Sequence, residues 1–179
     1  GRMQPVVLPS GAVVIRDEEN GSPDTLDAML AVLRDAPAKR RVLVFSDVSD
    51  SKANPRKRLR SMGKIAAELV DVAVVVGEHA HHGVRGAVAA GMDPASCHDV
   101  IGLRRAAELL ARELRAGDLV FLKGRSTHHL SRIVFAQLGS IGCWTTSCKK
   151  RVLCDVCDEL RPAFDLRRQR PAVARENDR

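Results

Sequence analysis

Short aliphatic runs alternate with amphipathic stretches through most of this chain, and that alternation constrains the architecture more than any other feature. Arg41–Phe45, Val72–Val76, His98–Ile101 and Leu119–Leu122 read as strands. Val72–Val76 is apolar at every position, as in a strand covered on both faces. Between them, Arg56–Leu69, His79–Ala90 and Leu103–Leu114 read as helices. The first presents Leu59, Met62, Ile65, Ala66 and Leu69 on one face; the third presents Ala106, Leu109, Leu110 and Leu114. Strand–helix alternation with short connections predicts a mostly parallel sheet with helices on both faces, a three-layer α/β sandwich.

The flanking segments extend this pattern. Val6–Leu8 and Ala12–Ile15 bracket the turn signal Pro9-Ser10-Gly11 and predict a hairpin or edge strands. Ser22-Pro23-Asp24 has a capping residue, a proline for the first helical position and an acid for the positive helix end. Leu26, Met29, Leu30 and Leu33 follow at helical spacing, and Leu130–Leu138 closes the unit. The α/β domain is expected over 1–139, a short Cys-rich appendage over 140–162, and a charged, apolar-poor, disordered tail over 163–179.

Composition narrows the function. Hydrophobic residues make up 45% of the chain but aromatics only 3%, so the core must be aliphatic. A net charge of +7 and a pI near 9.6 favour anionic partners. The scarcity of aromatic stacking platforms argues against single-stranded nucleic acid. No apolar run reaches membrane-spanning length and no secretory signal opens the chain, so a cytoplasmic setting is expected. There the cysteines would be reduced, metal-bound or reactive rather than disulfide-bonded.

Each strand end carries polar groups: Asp17; Ser46 and Asp47; Gly77 and Glu78; Lys123, Gly124, Arg125 and Ser126. In a parallel sheet these loops share one edge, where open α/β sheets bind ligands. Lys123 can pair with a carboxylate or phosphate or stand as a solvated loop lysine; Asp47 can hold a cation or serve a turn. His79, His81 and His82 lack an evident further metal ligand and read as a solvated face, as does the basic run Arg56-Lys57-Arg58-Leu59-Arg60. At most one of His128 and His129 would face a crevice from a helix. No G-x-x-x-x-G-K-[ST] loop, G-x-G-x-x-G fingerprint or G-x-S-x-G elbow is present.

Cys143-x4-Cys148-x5-Cys154-x2-Cys157 offers four soft ligands to a structural zinc; a redox-active thiol cluster or free thiols are the alternatives. Cys97 stands apart and reads as a small buried hydrophobe.

Taken in order, several of these stretches resemble the carboxyl-terminal domain of the Mur ligases, most closely the D-alanyl-D-alanine-adding UDP-N-acetylmuramoyl-tripeptide ligase type. They are Gly1-Arg2, the run Val13–Thr25 containing Asp17, Asn20 and Pro23-Asp24-Thr25, Val44-Phe45-Ser46-Asp47, and Gly117–Gly124. The resemblance spans about residues 1–139 and implies a Rossmann-like domain that closes over an ATP-dependent, amide-forming active site of peptidoglycan synthesis. ATP and Mg would be held mainly by a central domain of the same enzyme, with a small-molecule or peptide substrate as further partner. Arg2, Asp17 and Asn20 would lie toward the nucleotide; Asp47, Lys123, Arg125 and Ser126 would lie toward the incoming amine. This chain alone lacks the P-loop and should be inactive. Departures at Arg16, Glu19, Arg60, the 46–52 loop and Gly124-Arg125-Ser126 put the usual cell-wall specificity in question. The other reading is a non-catalytic regulatory or interaction module with the same fold and a zinc-binding tail.

Overall fold

A computed structural model describes residues 2–19, 24–48, 54–150 and 152–160. The predicted tail, the Ser22-Pro23 cap and Asn20 lie outside them. Six strands form one sheet: β1 (Gln4–Val7), β2 (Val13–Asp17), β3 (Arg40–Phe45), β4 (Val72–Val76), β5 (Cys97–Val100) and β6 (Asp118–Lys123). Their lateral order is β1-β2-β6-β3-β4-β5. Only β1 and β2 run antiparallel, as the hairpin read from the turn at Pro9-Ser10-Gly11; the remaining pairs are parallel.

Five helices cover the sheet: α1 (Asp24–Asp35), α2 (Pro55–Leu69), α3 (Ala80–Ala89), α4 (Leu103–Glu113) and α5 (Ser131–Leu138). The period-two alternation of the strands separates two cores. Val42, Val44, Val74, Val120 and Leu122 point to the face covered by α4 and α5. Leu43, Phe45, Ala73, Val75 and Phe121 point to the face covered by α1, α2 and α3. Cys97 joins this second core, 8% exposed, as its isolated position implied.

The last helix starts one residue after the Leu130 read from the sequence, and the two histidines before it lie outside it. Ser126–His128 forms a 3-10 turn that His129 ends in the left-handed conformation (φ 54°), and α5 starts only at Ser131. Two consecutive histidines are thereby turned in different directions.

At the amino edge of the sheet Asp118 is buried and accepts from Arg40 Nε (3.0 Å), Arg40 Nη2 (2.7 Å) and the Arg115 amide (2.9 Å). Burial disfavours its charge, yet the Arg40 and Arg115 bonds outweigh it and hold its pKa below the ordinary aspartate value. A depressed folded-state pKa stabilises above the unfolded value near 4 and is lost as pH falls below it. Asp118→Asn should therefore lower stability at pH 7 by about 3 kcal/mol and flatten the loss of stability below about pH 4. Chemical denaturation at a series of pH values reads both effects; an acid limb as steep as the parent's would refute this role.

The Cys-rich segment packs on the domain. Cys154 and Leu160 form a small core with Phe135 of α5, flanked by Ile141 and Cys143. The Gly142 amide donates to the Leu160 carbonyl (2.8 Å), and Trp144 packs against the α4/α5 core.

Candidate functional site

Strand order creates the site. β6 lies between β2 and β3, so the chain leaving β3 toward α2 and the chain leaving β6 toward α5 depart to opposite faces. β4 and β5 repeat this divergence through α3 and α4. Crevices open at the carboxyl ends of strands where connections part in this way. A cleft of about 510 Å³ lies there, lined by Ser46 and Asp47 after β3, Val76–His79 after β4, Ile101–Leu103 after β5, and Thr127, His128 and Leu130 after β6. Pro55 and Leu59 of α2 and Thr146 of the Cys-rich segment complete it.

The walls are partly apolar, through Leu59, Val76, Leu103 and Leu130, with a few polar groups set among them. Ser46 is 2% exposed and its Oγ lies 2.8 Å from His128 Nδ1. The Ser46 amide donates to the Lys123 carbonyl (3.1 Å), which ties the β3 and β6 loops together. Gly124 permits this approach: a Cβ there would lie 2.7 Å from Ser46 Oγ and 2.5 Å from Leu130 Cδ1. Asp47 accepts from Arg58 of α2 (Nε, 2.7 Å) and from its Nη2, so one cation of the basic run turns inward while Arg56, Lys57 and Arg60 stay exposed.

The residues singled out in the sequence are placed as follows. Asp17, Asp47 and Lys123 share one rim, because Asp17 is paired with Lys123 and Lys123 with Phe45 across adjacent strands. Lys123 is fully buried and its Nζ donates to Asp17 Oδ2; Asp17 also accepts from the Met3 amide (3.4 Å). Neither side chain lines the cleft. The pair fixes the ends of β2 and β6 instead of offering a loop cation to solvent. Arg125 and Ser126 stand beside the cleft without lining it, and Arg2 is exposed and bonded to Glu19 (3.1 Å). Of the proposed substrate residues, Asp47 alone is on the cleft wall.

Arg16 is fully buried in β2. It binds Glu18 (Nε to Oε1, 3.0 Å) and Asp155 (Nη1 to Oδ2, 2.8 Å; Nη2 to Oδ1, 2.9 Å) and lies 4.8 Å from the centre of the Phe135 ring. Burial works against its charge, but the Asp155 bond and the charges of Glu18 and Asp155 raise its pKa. Burial pushes Glu18 up, with Arg16 opposing; burial also works against the Asp155 charge, but the Arg16 bond overrides it and draws that pKa down.

Among the described residues no three His, Cys, Asp or Glu side chains gather to hold a metal ion. His79 and His81 are exposed at the start of α3, in keeping with a solvated face. The four clustered cysteines are free thiols, and the guanidinium of Arg132 contacts the sulfur of Cys154 (3.3 Å).

Residues 1–126 match the family model described as Mur ligase, glutamate ligase domain. The chain belongs to the Mur ligase family. Its fold is similar to that of MurF from Acinetobacter baumannii, with a TM-score of 0.65 and 20% identity over 76% of this chain and 30% of that one. The MurF ligase from Thermotoga maritima, solved in complex with ADP, gives a TM-score of 0.59 at 15% identity over 75% and 30%. The chain thus spans about a third of the length of these Mur ligases. No curated protein matches the sequence. Among the described residues no helix is long and apolar enough to cross a membrane.

Among the polar cleft residues, Thr127 and Thr146 were not singled out by the sequence pattern, and His128 was raised only as one of a pair. His128 carried one signal, its position five residues after the strand-ending lysine. Thr146 carried none, since its place depends on how the Cys-rich segment folds back.

Proposed function

We propose that this Mur ligase domain forms the amine-binding wall of an ATP-dependent amide-forming enzyme. A carboxylate is activated as an acyl phosphate on a neighbouring domain, and an amino acid or peptide amine held in the cleft attacks it. One observation carries this reading: the cleft sits where diverging connections leave the sheet, and its polar group His128 is fixed through Nδ1 by the buried Ser46. An imidazole exchanges protons near neutral pH, so it can take the proton that an incoming ammonium must lose before attack. Apolar walls exclude water from the reactive anhydride when the domain closes.

Among the described residues, the two expected near the nucleotide are already engaged. Asp17 is sealed against Lys123, and Arg2 is exposed and paired with Glu19. The nucleotide therefore belongs to the neighbouring domain in this reading. D-alanyl-D-alanine is the first amine to test, by analogy with the MurF neighbours.

In an enzyme carrying this domain, His128→Gln should lower kcat/KM for the amine by roughly tenfold or more while leaving KM for ATP unchanged. Amine-dependent phosphate release measures both. In the chain itself, D-alanyl-D-alanine should shift the amide NMR signals of Gly77 and Gly102. Unchanged kinetics together with unshifted cleft signals would leave the interaction module as the function.

A further inference from the structure

The basic run of α2 is a sequence motif that the cleft does not absorb, and the fold pairs it with α3. The two helices meet backbone to backbone: a Cβ on Gly86 would lie 2.2 Å from the Arg60 carbonyl oxygen. Arg60 thereby comes next to Arg85, the residue before Gly86. Arg56 and Lys64 lie one turn to either side of Arg60, and all of these cations are exposed. At a rise of about 1.5 Å per residue the strip from Arg56 to Lys64 is about 12 Å long. The only acid in either helix is Glu68, in the last turn of α2.

The strip leads into the cleft. Pro55, on the cleft wall, directly precedes Arg56. His79 also lines the cleft; its ring centre lies 6.3 Å from that of His82, which lies 4.0 Å from that of His81. Partial burial lowers the His82 pKa, and the charges of His81, Arg56, Arg60 and Arg85 lower it further, so the cations of both helices act on one spot beside the cleft mouth. Inside the cleft the sign reverses. Its carboxylates are Asp47, bonded to Arg58, and the exposed Glu78. A peptide with a free amino end followed by carboxylate side chains has the complementary order of charge. About four extended residues, at about 3.3 Å each, match the strip in length. Nucleic acid fits less well: neither helix carries an aromatic ring on which a base could stack, and the cleft acids oppose a phosphate chain.

We propose that the amine substrate is an acidic peptide, whose amino end enters the cleft and whose carboxylates lie along Arg56, Arg60, Lys64 and Arg85. This rests on the cleft being the amine-binding wall and adds a substrate class to it. D-alanyl-D-alanine, with one carboxylate, would fill the cleft and leave most of the strip unused. Each contact on the strip is exposed to water and screened by salt, so the preference comes from several carboxylates acting together.

The test titrates the 179-residue chain at low salt with the peptide Ala-Glu-Glu-Glu, its N-acetylated form and Ala-Gln-Gln-Gln, followed by NMR. Ala-Glu-Glu-Glu should shift the amide signals of Arg60 and Arg85 together with those of Gly77 and Gly102. It should bind roughly tenfold or more tightly than Ala-Gln-Gln-Gln. Acetylation should abolish the Gly77 and Gly102 shifts and keep those of Arg60 and Arg85. Bound carboxylates should also raise the His82 pKa, read from its imidazole signals. Arg60→Gln/Arg85→Gln changes only exposed side chains and should weaken Ala-Glu-Glu-Glu about tenfold, with Arg60→Lys/Arg85→Lys restoring most of the loss. Equal affinity for the Glu and Gln peptides would overturn the proposal. So would shifts at Arg60 and Arg85 without any at Gly77 and Gly102 for the free-amine peptide. A short DNA duplex that displaces Ala-Glu-Glu-Glu at lower concentration would give the strip to nucleic acid instead. D-alanyl-D-alanine in the same titration reports on the cleft alone, so failure of the cleft and failure of the strip are told apart.

Discussion

Lys123→Met is expected to lower the thermal midpoint of the chain by roughly 10 °C or more. The side chains of Lys123 and Asp17 are 1% and 4% exposed and bridge the carboxyl ends of adjacent parallel strands. Removing the ammonium leaves a carboxylate buried without its countercharge, a loss of about 3–5 kcal/mol. For a chain of this size each kcal/mol moves the midpoint by roughly 2–4 °C. Methionine fills much of the lysine volume, so little of the effect comes from a cavity. The double variant Asp17→Asn/Lys123→Met should recover most of the loss, because the stranded charge is gone. A substrate clamp would behave differently: the single variant would keep its stability and lose turnover in the enzyme. Calorimetry on the two variants separates these outcomes, and an unchanged midpoint for Lys123→Met would show that the pair does not hold the strand ends.

That pair also marks the boundary of what the sequence discloses. Periodicity placed each strand and helix because burial acts locally: Val72–Val76 needs cover on both faces, and Leu59, Met62 and Ala66 need one buried stripe. It also placed the polar strand ends on a common edge. Lateral order is different. Nothing in the run Leu119–Leu122 says that β6 inserts between β2 and β3, and only that insertion sets Lys123 against Asp17 and Ser46 against His128. The histidines were read as one helix because their neighbours are helix-compatible; the left-handed His129 that redirects them is a tertiary choice. The cysteine spacing suits zinc and a dithiol alike. Nor does it show that Arg132 and Arg16 reach the Cys154–Asp155 turn, from 22 and 139 positions away.

Gly63→Ala should destabilise the chain by about 3 kcal/mol or more, against the sign that helix propensity gives. Gly63 and Gly86 lie within α2 and α3, where replacing glycine with alanine ordinarily stabilises by about 1 kcal/mol. Here the helices meet backbone to backbone. A Cβ on Gly63 would lie 2.0 Å from the Gly83 carbonyl oxygen and 2.9 Å from the Ala87 nitrogen; one on Gly86 would lie 2.2 Å from the Arg60 carbonyl oxygen. Neither obstacle is a side chain that can rotate away, so the helices must separate and uncover Leu59, Met62 and Ala87. Separation also reaches the cleft. α2 brings Pro55 and, through Arg58, the Asp47 loop; α3 follows directly from Glu78 and His79. Gly63→Ala should therefore weaken D-alanyl-D-alanine binding even at temperatures where the chain stays folded, whereas Gly91→Ala, which meets no atom within 4 Å but strains a left-handed backbone (φ 97°) outside the cleft lining, should cost stability and leave that binding intact in the folded chain. Urea midpoints give the stability change and the Gly77 and Gly102 NMR shifts give the binding change. A Gly63→Ala chain more stable than its parent would mean that the helices do not touch there, and that the cleft does not depend on their contact.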